Sequence, residues 1–182
     1  MKDYRKAQLE QESAAYPRLA QASSPLLQDR INRLIKRTVD KTLPAGKYIE
    51  MNIITAAGKY DTTVNRNEIL SLRFENYFYP EKFANGITSV QGLIVNLITG
   101  KKYKLEDLFK SGSNYKLYLD SIIERQITEE NIPLINEFPG ITGNEVFYLK
   151  ENSLVIVYQE YELSPEHHQQ LILLKLQQNY LT

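Results

Sequence analysis

The chain contains no cysteine and no tryptophan, and only two of its 182 residues are histidine. The absence of cysteine excludes a disulfide framework, a thiolate metal site and thiol catalysis. The two histidines are the adjacent pair His167 and His168. Neighbouring side chains of an extended segment point in opposite directions, so this pair lacks the spacing of a metal site. The sequence therefore predicts neither a bound metal nor a cofactor.

The chain also lacks a charge excess and a long apolar run. Lys+Arg and Asp+Glu each number 22, whereas a nucleic-acid-binding protein usually carries a basic excess. No apolar stretch approaches the ~20 residues of a membrane span, and the first residues lack the apolar core of a signal peptide. We therefore expect no nucleic-acid partner and no membrane span in this chain. It is either cytoplasmic or a fragment that follows an anchor or signal.

Patterns that carry catalytic chemistry are absent as well. The sequence has no GxSxG elbow, no HExxH motif and no glycine-rich phosphate loop. It does have carboxylate pairs, of which Glu160 and Glu162 are predicted to share one face of a strand. A glycosidase needs two carboxylates that flank a cleft. We therefore expect a protein that is not an enzyme, and we keep a carboxylate-based glycan hydrolase and a structural spacer domain of a longer protein as alternatives.

The first half of the sequence predicts one helix followed by strands. Residues 1–23 are polar and are predicted to form a flexible N-terminal arm. Ser24 and Pro25 are typical of a helix start, and apolar residues then recur at helical spacing up to Val39. Strands are predicted over residues 48–57 and 60–64, with a break at Gly58.

The clearest alternation in the chain falls in residues 70–78. The residues predicted to face a core are Leu70, Leu72, Phe74 and Phe78. Those predicted to face water are Ser71, Arg73, Glu75 and Tyr77. A further strand over residues 88–98 ends at a turn formed by Thr99 and Gly100.

The second half repeats the order of helix and strands. A compact corner at residues 105–109 leads to a helix that begins near Ser113 or Asn114. Three strands are predicted after it, over residues 146–150, 154–161 and 169–176. Segregated helices and strands predict an α+β fold, with two main helices packed on one face of a largely antiparallel sheet. We expect a single α+β domain over residues 24–182.

Tyrosine is frequent, with 13 copies, and several tyrosines stand beside loops. Tyrosine is enriched in protein interfaces, although aromatic residues in strands also stabilise sheets by pairing across strands. We predict that these residues form a binding surface: Tyr77, Tyr79, Asn85, Gly86, Tyr158, Tyr161 and Pro165.

Four segments resemble, in order, the sequence of one protein family. They are Tyr16-Pro17 with residues 31–35, residues 69–74 with Tyr77 and Tyr79, residues 96–109, and residues 147–149 with Tyr161, Glu162 and Pro165. The family is an extracytoplasmic domain-of-unknown-function family that occurs in lysozyme-sensing anti-sigma factors of Gram-positive bacteria. Similar domains precede the catalytic domain of some peptidoglycan deacetylases.

The resemblance implies a non-catalytic α+β module at the cell surface. In the anti-sigma members such a domain captures lysozyme, and the proline-bearing loop near its end, here at Pro165, belongs to the lysozyme-facing side. We therefore expect an extracytoplasmic binding or sensing domain of a Gram-positive envelope protein, secreted or tethered by a segment outside this chain. Its expected partner is a lysozyme-like protein or a cell-wall glycan.

Overall fold

The computed structural model describes residues 9–13, 16–43, 52–165 and 170–175. Its two helices are α1 (Pro25–Asp40) and α2 (Tyr115–Glu129). Its strands are β1 (Leu9–Ser13), β2 (Tyr16–Leu19), β3 (Ile53–Arg66), β4 (Ile69–Pro80), β5 (Ile87–Asn96), β6 (Val146–Lys150), β7 (Ser153–Tyr158) and β8 (Gln170–Lys175). Every pair of these strands is antiparallel, so the predicted α+β class with antiparallel strands is confirmed.

The described strands form three sheets, which the alternation of the sequence did not reveal. One is the hairpin β1-β2, the second has the order β3-β4-β5, and the third has the order β6-β7-β8. The chain divides into two compact units, Met1–Lys102 and Tyr103–Thr182. The first unit holds β1 to β5 with α1, and the second holds α2 with β6 to β8. A strand pattern shows which face is apolar, but it does not name the neighbouring strand.

Part of the predicted N-terminal arm belongs to the first unit. Strands β1 and β2 pair within residues 1–23, and Pro17 and Leu19 of β2 are buried. Leu19 N–H donates to Asn32 Oδ1 at 2.8 Å, and Asn32 Nδ2 donates back to Leu19 O at 3.3 Å. These bonds hold β2 against α1, so residues 16–19 are not a flexible arm.

Helix α1 starts where the sequence predicted it. Pro25 is its first residue, and the Ser24 hydroxyl accepts a hydrogen bond from Leu27 N–H at 3.2 Å. Ile31, Ile35 and Val39 of α1 lie in the core. The other buried members of this core come from the strands and the turn that follows them: Leu19, Leu70, Leu72, Phe74, Leu93, Val95 and Leu97.

Strand β3 corrects the predicted break at Gly58. The strand is continuous from residue 53 to residue 66, and Gly58 lies opposite Asn76 of β4 in the ladder. The irregularities are register shifts between Ile53 and Thr55 and between Thr62 and Val64. The long partner strand supplies backbone hydrogen bonds on both sides of the glycine, so Gly58 does not end the strand. Residues 48–51 of the predicted strand lie outside the described residues.

Strand β4 confirms the predicted apolar face and corrects the other one. Leu70, Leu72 and Phe74 are buried as predicted. On the opposite face Ser71 is also buried, and the side chains of Arg73 and Glu75 are only 14% and 20% exposed. The prediction of a wet face is therefore wrong for these three residues. Burial is tolerated because their polar groups pair with each other and with β3.

The second unit begins with a 3₁₀ turn at Leu105–Leu108, where the compact corner was predicted. Lys104 N–H donates to Asp107 Oδ2 at 2.7 Å, which fixes the start of the turn. Asn114 precedes the first residue of α2, in agreement with the predicted helix start. Strand β7 then contributes five consecutive buried residues, 154–158.

Candidate functional site

In the first unit, two of the predicted binding residues hold their own loop. The Tyr79 hydroxyl donates a hydrogen bond to Phe83 O at 2.7 Å, across residues 81–86. The Tyr77 ring lies against Gly86 so closely that a Cβ atom at position 86 would overlap it. An aromatic ring that covers a glycine on a neighbouring strand or loop is a known stabilising device in sheets. These tyrosines therefore order the loop that connects β4 to β5.

Part of the same loop is exposed to solvent. Tyr77 is 39% exposed, and Asn85 is exposed, while Gly86 is buried beneath the tyrosine ring. The structure thus brings Tyr77 and Gly86, two of the predicted binding residues, into contact. Asn85 sits beside them in the chain, and its side chain is available to solvent.

In the second unit, Tyr158 is a core residue, so its predicted place on a binding surface is corrected. Only 7% of its surface is exposed, and its ring contacts Phe138 edge to face with the ring centres 6.3 Å apart. Tyr158 is the last residue of β7, where both faces of the strand are covered. The tyrosine count and the adjacent loop could not distinguish this buried strand end from an exposed one.

The environment of the Tyr158 hydroxyl strongly disfavours its ionisation. Its oxygen is buried and has no hydrogen-bond partner among the described residues. Burial, reinforced by the carboxylates of Glu145, Glu162 and Asp120, raises the pKa of Tyr158 far above its usual value. This phenol stays protonated at neutral pH.

The turn after β7 presents the most exposed of the predicted binding tyrosines. Tyr161 is 53% exposed and has a φ of 61°, a left-handed backbone conformation that residues other than glycine rarely adopt. The turn is anchored on both sides of it: Gln159 N–H donates to Glu162 Oε2 at 2.7 Å, and Ile135 N–H donates to Leu163 O at 3.1 Å. Pro165 is exposed, whereas His167 and His168 lie outside the described residues.

Carboxylates of this unit accept hydrogen bonds from backbone N–H groups of its loops. Strand β7 ends at Tyr158, so Glu160 and Glu162 lie in a turn and do not share a strand face as predicted. Glu145 accepts hydrogen bonds from Thr142 N–H at 2.5 Å and Gly143 N–H at 2.9 Å. Asp120 Oδ1 accepts one from Ile141 N–H at 2.7 Å. These three bonds order the connection from α2 to β6.

Sequence reasoning missed one concave feature of the first unit. A groove of about 450 Å³ lies between β2 and α1 and is lined by residues of both, among them Tyr16, Arg18, Asn32 and Lys36. The spacing of Asn32 and Lys36 on one side of a predicted helix was visible in the sequence. The position of β2 beside that helix was not, because residues 16–19 were assigned to an arm.

Among the residues that the structure describes, no group of three or more His, Asp or Glu side chains is placed to hold a metal ion. Neither α1 nor α2, the helices of the described ranges, has the length and apolar character required to cross a bilayer.

The comparisons with known proteins place a domain family within the second unit. A family model described as "Protein of unknown function (DUF3298)" matches residues 106–167. A DUF3298 domain is therefore present at these residues, which confirms the expected likeness to a domain-of-unknown-function family. Among curated proteins, none matches the chain.

Solved structures of two bacterial proteins resemble this one. A DUF3298 family protein from Pseudomonas aeruginosa PAO1 has a TM-score of 0.60 and 9% sequence identity, over 91% of this chain and 82% of that chain. At this identity the likeness shows the fold alone. A DUF3298 family member from Bacteroides fragilis NCTC 9343 has a TM-score of 0.49 and 17% identity, over 81% of this chain and 59% of that chain.

Proposed function

We propose that the chain is a non-catalytic binding or sensing module of a Gram-positive cell envelope protein and acts outside the cytoplasm. Its partner is a protein such as lysozyme, or a cell-wall glycan. The observation that carries the proposal is Tyr161, an exposed aromatic residue held in a left-handed conformation inside the DUF3298 segment. The anti-sigma and deacetylase contexts implied by the resemblance supply the expected partner class.

The backbone of Tyr161 supports a role in recognition. A left-handed backbone conformation costs a residue other than glycine roughly 1–2 kcal/mol, and such strain is concentrated at functional sites. The buried neighbours Leu163 and Ser164 anchor the turn on one side. Tyrosine loses little conformational entropy when it binds, and it is common among the residues that dominate interfaces. A rigid turn therefore presents a preorganised aromatic contact.

The carboxylates support the non-catalytic part of the proposal. Glu145 and Asp120 accept hydrogen bonds from loop N–H groups, and Glu162 accepts one from Gln159 N–H. A general acid or a nucleophile of a glycosidase must face a substrate, with the two carboxyl groups about 5–10 Å apart across it. These three groups are committed to holding loops.

Titration calorimetry tests the proposal with a c-type lysozyme and, separately, with soluble peptidoglycan fragments. We expect heat of binding with one of the two. Tyr161→Gly should relieve the backbone strain, keep the fold and weaken that binding by about tenfold or more, as loss of a central interface tyrosine does. Leu117→Ala, at an exposed position of α2, is the matched control and should bind as the unchanged protein does.

The proposal fails if neither ligand produces heat at concentrations up to about 1 mM, which corresponds to very weak binding. It also fails if Tyr161→Gly and Leu117→Ala bind equally well, because the exposed tyrosine would then make no contact with the partner.

A further inference from the structure

The groove between β2 and α1 has the dimensions of a ligand site. Its volume of about 450 Å³ falls in the usual range of roughly 300–1,000 Å³ for small-molecule sites. Strand β2 forms one wall with Tyr16, Pro17 and Arg18, and α1 forms the other. The whole groove belongs to the first unit and contains none of the residues of the proposed Tyr161 surface.

Four hydrogen bonds hold the two walls together. Asn32 binds both the N–H and the carbonyl oxygen of Leu19. Gln28 Nε2 donates to Leu19 O at 3.1 Å and to Ala20 O at 3.0 Å. The end of β2 is thereby fixed against α1 without a partner strand on that side. A groove with walls fixed in this way loses little conformational freedom when a ligand enters.

The charges that line the groove are mainly positive. The cationic side chains in the lining are Arg18, Arg33 and Lys36, and the lining also includes the carboxylate of Asp29. The chain as a whole has a formal net charge of zero, whereas cationic residues outnumber acidic ones by three to one in the groove lining. Arg33 and Lys36 are three residues apart on α1, a spacing that places side chains next to each other on a helix.

The ion pairs of Arg33 and Lys36 leave both cations accessible. Arg33 pairs with Asp29, and their side chains are 58% and 60% exposed. Lys36 pairs with Asp40 at 3.1 Å, also at the surface. Exposed pairs of this kind are weak and are screened by salt, so an incoming anion competes for the cations without a large loss.

The uncharged lining of the groove is mixed, with the amides of Gln28 and Asn32 beside the apolar rings of three other residues. The Tyr16 side chain is half-buried and packs against the core, and Pro17 and Pro25 also line the groove. Flat aromatic and proline surfaces suit the C–H face of a sugar ring, while arginine and lysine suit a carboxylate or a phosphate. We propose that this groove binds an anionic saccharide whose acidic group lies between Arg33 and Lys36.

Calorimetry on the full chain at low ionic strength tests the groove with three probes. Tetragalacturonic acid carries carboxylates, glucose phosphate carries a phosphate, and maltotetraose is neutral. We expect one acidic probe or both to bind about tenfold more tightly than maltotetraose, and binding to weaken when the Debye length falls to about 3 Å near 1 M salt. The probe that binds identifies the acidic group. Equal binding of maltotetraose, or no binding of either acidic probe, overturns the proposal.

Substitutions locate the site. The double variant Arg33→Glu with Lys36→Glu should weaken binding of the acidic probe by about tenfold or more, because two attractive charges become repulsive. The matched control is Arg30→Glu with Arg37→Glu, which makes the same change in charge at exposed positions of α1 outside the groove lining. Its effect should stay within about threefold, since solvent and salt screen it. Equal losses in the two variants would contradict the proposal.

Asp29→Asn provides a test that does not depend on lost binding. It removes the carboxylate that pairs with Arg33 and should tighten binding of the acidic probe by about two- to fivefold, the scale of an exposed ion pair. Unchanged or weaker binding would show that Arg33 does not contact the anion. Lysozyme binding through Tyr161 should be unaffected by every groove variant, so failure of either proposal is distinguishable from failure of the other.

Discussion

The central strands β4 and β7 occupy the same place in two sheets of the same size, yet their buried side chains differ in polarity. In β4, apolar residues alternate with polar ones, and over residues 70–75 both sets are wholly or largely buried. In β7, residues 154–158 are all buried and carry only one polar side-chain group, the Tyr158 hydroxyl. The comparison shows two ways to cover a central strand: polar groups that pair with one another, or no polar groups at all.

The polar face of β4 is a connected network. Lys59 Nζ lies 2.9 Å from Glu75 Oε1, Arg73 pairs with Glu75, and Arg73 also reaches Asp61 at 3.4 Å. Burial by itself raises the pKa of Glu75, but hydrogen bonds from Lys59 and Arg73 outweigh that effect and lower it. Within the described part of the chain, the hydroxyl of Tyr158 at the end of β7 has no such partner.

The largest expected effect tests whether β7 is buried on both faces. Val155 and Ile156 are adjacent and point to opposite faces. Ile156→Ala should lower the free energy of unfolding by about 2–5 kcal/mol, and Val155→Ala by roughly 2 kcal/mol, since both leave cavities. Urea unfolding followed by circular dichroism measures both.

The matched pair in β4 is Phe74 and Tyr77, which also point to opposite faces. Phe74→Ala should cost about 3–5 kcal/mol, whereas Tyr77→Ala, at a partly exposed position, should cost far less. If Val155→Ala lowers the free energy of unfolding negligibly, one face of β7 is exposed to solvent and the contrast with β4 does not hold.

The next effect concerns the loop that follows β4. Gly86→Ala places a methyl group in the space of the Tyr77 ring and should cost about 1–3 kcal/mol, as overpacking does. The same substitution in a Tyr77→Ala background should cost little, because the obstructing ring is gone. A double-mutant cycle measured by urea unfolding gives the coupling energy. Equal costs in both backgrounds would show that the ring does not cover the glycine.

A smaller effect tests the single polar group of β7. Tyr158→Phe removes a buried hydroxyl to which the described residues offer no partner, and it should stabilise the protein by up to about 1 kcal/mol at pH 7. In the unchanged protein the pKa of Tyr158 is raised by folding, so the phenol ionises first in the unfolded state. The free energy of unfolding should therefore fall as pH rises above about 10. The midpoint temperature of thermal unfolding should therefore fall less at alkaline pH in Tyr158→Phe than in the unchanged protein. Destabilisation at pH 7 would reveal a partner for the hydroxyl.

The smallest effect tests the network of β4. Glu75→Gln should cost about 0.5–1 kcal/mol at pH 7, because the partly exposed ion pairs are screened by solvent. A lowered pKa means that this stability is present above the unfolded pKa of about 4.3 and is lost as pH falls through the folded value. Unfolding measurements at pH 7 and pH 3 should therefore show the difference at pH 7 alone. Equal differences at both would assign the effect to packing.

Local patterns predicted much of the fold. The start of α1 at Pro25, the corner at Leu105–Leu108 and the apolar face of β4 were all readable, because capping chemistry and side-chain periodicity act over a few residues. The residues of the candidate sites were harder to predict from the sequence. Of two tyrosines three residues apart, Tyr158 is buried and Tyr161 is exposed, and no local pattern separated them.

By itself, the sequence determined the α+β class, the absence of thiol chemistry and the faces of the main helices, since composition and periodicity are local properties of the chain. Tertiary structure alone decided how the described strands divide among three sheets, that β2 forms one wall of a groove, and that Tyr161 adopts a left-handed conformation. These features depend on contacts between segments distant in sequence, where strand partners and burial are settled by packing.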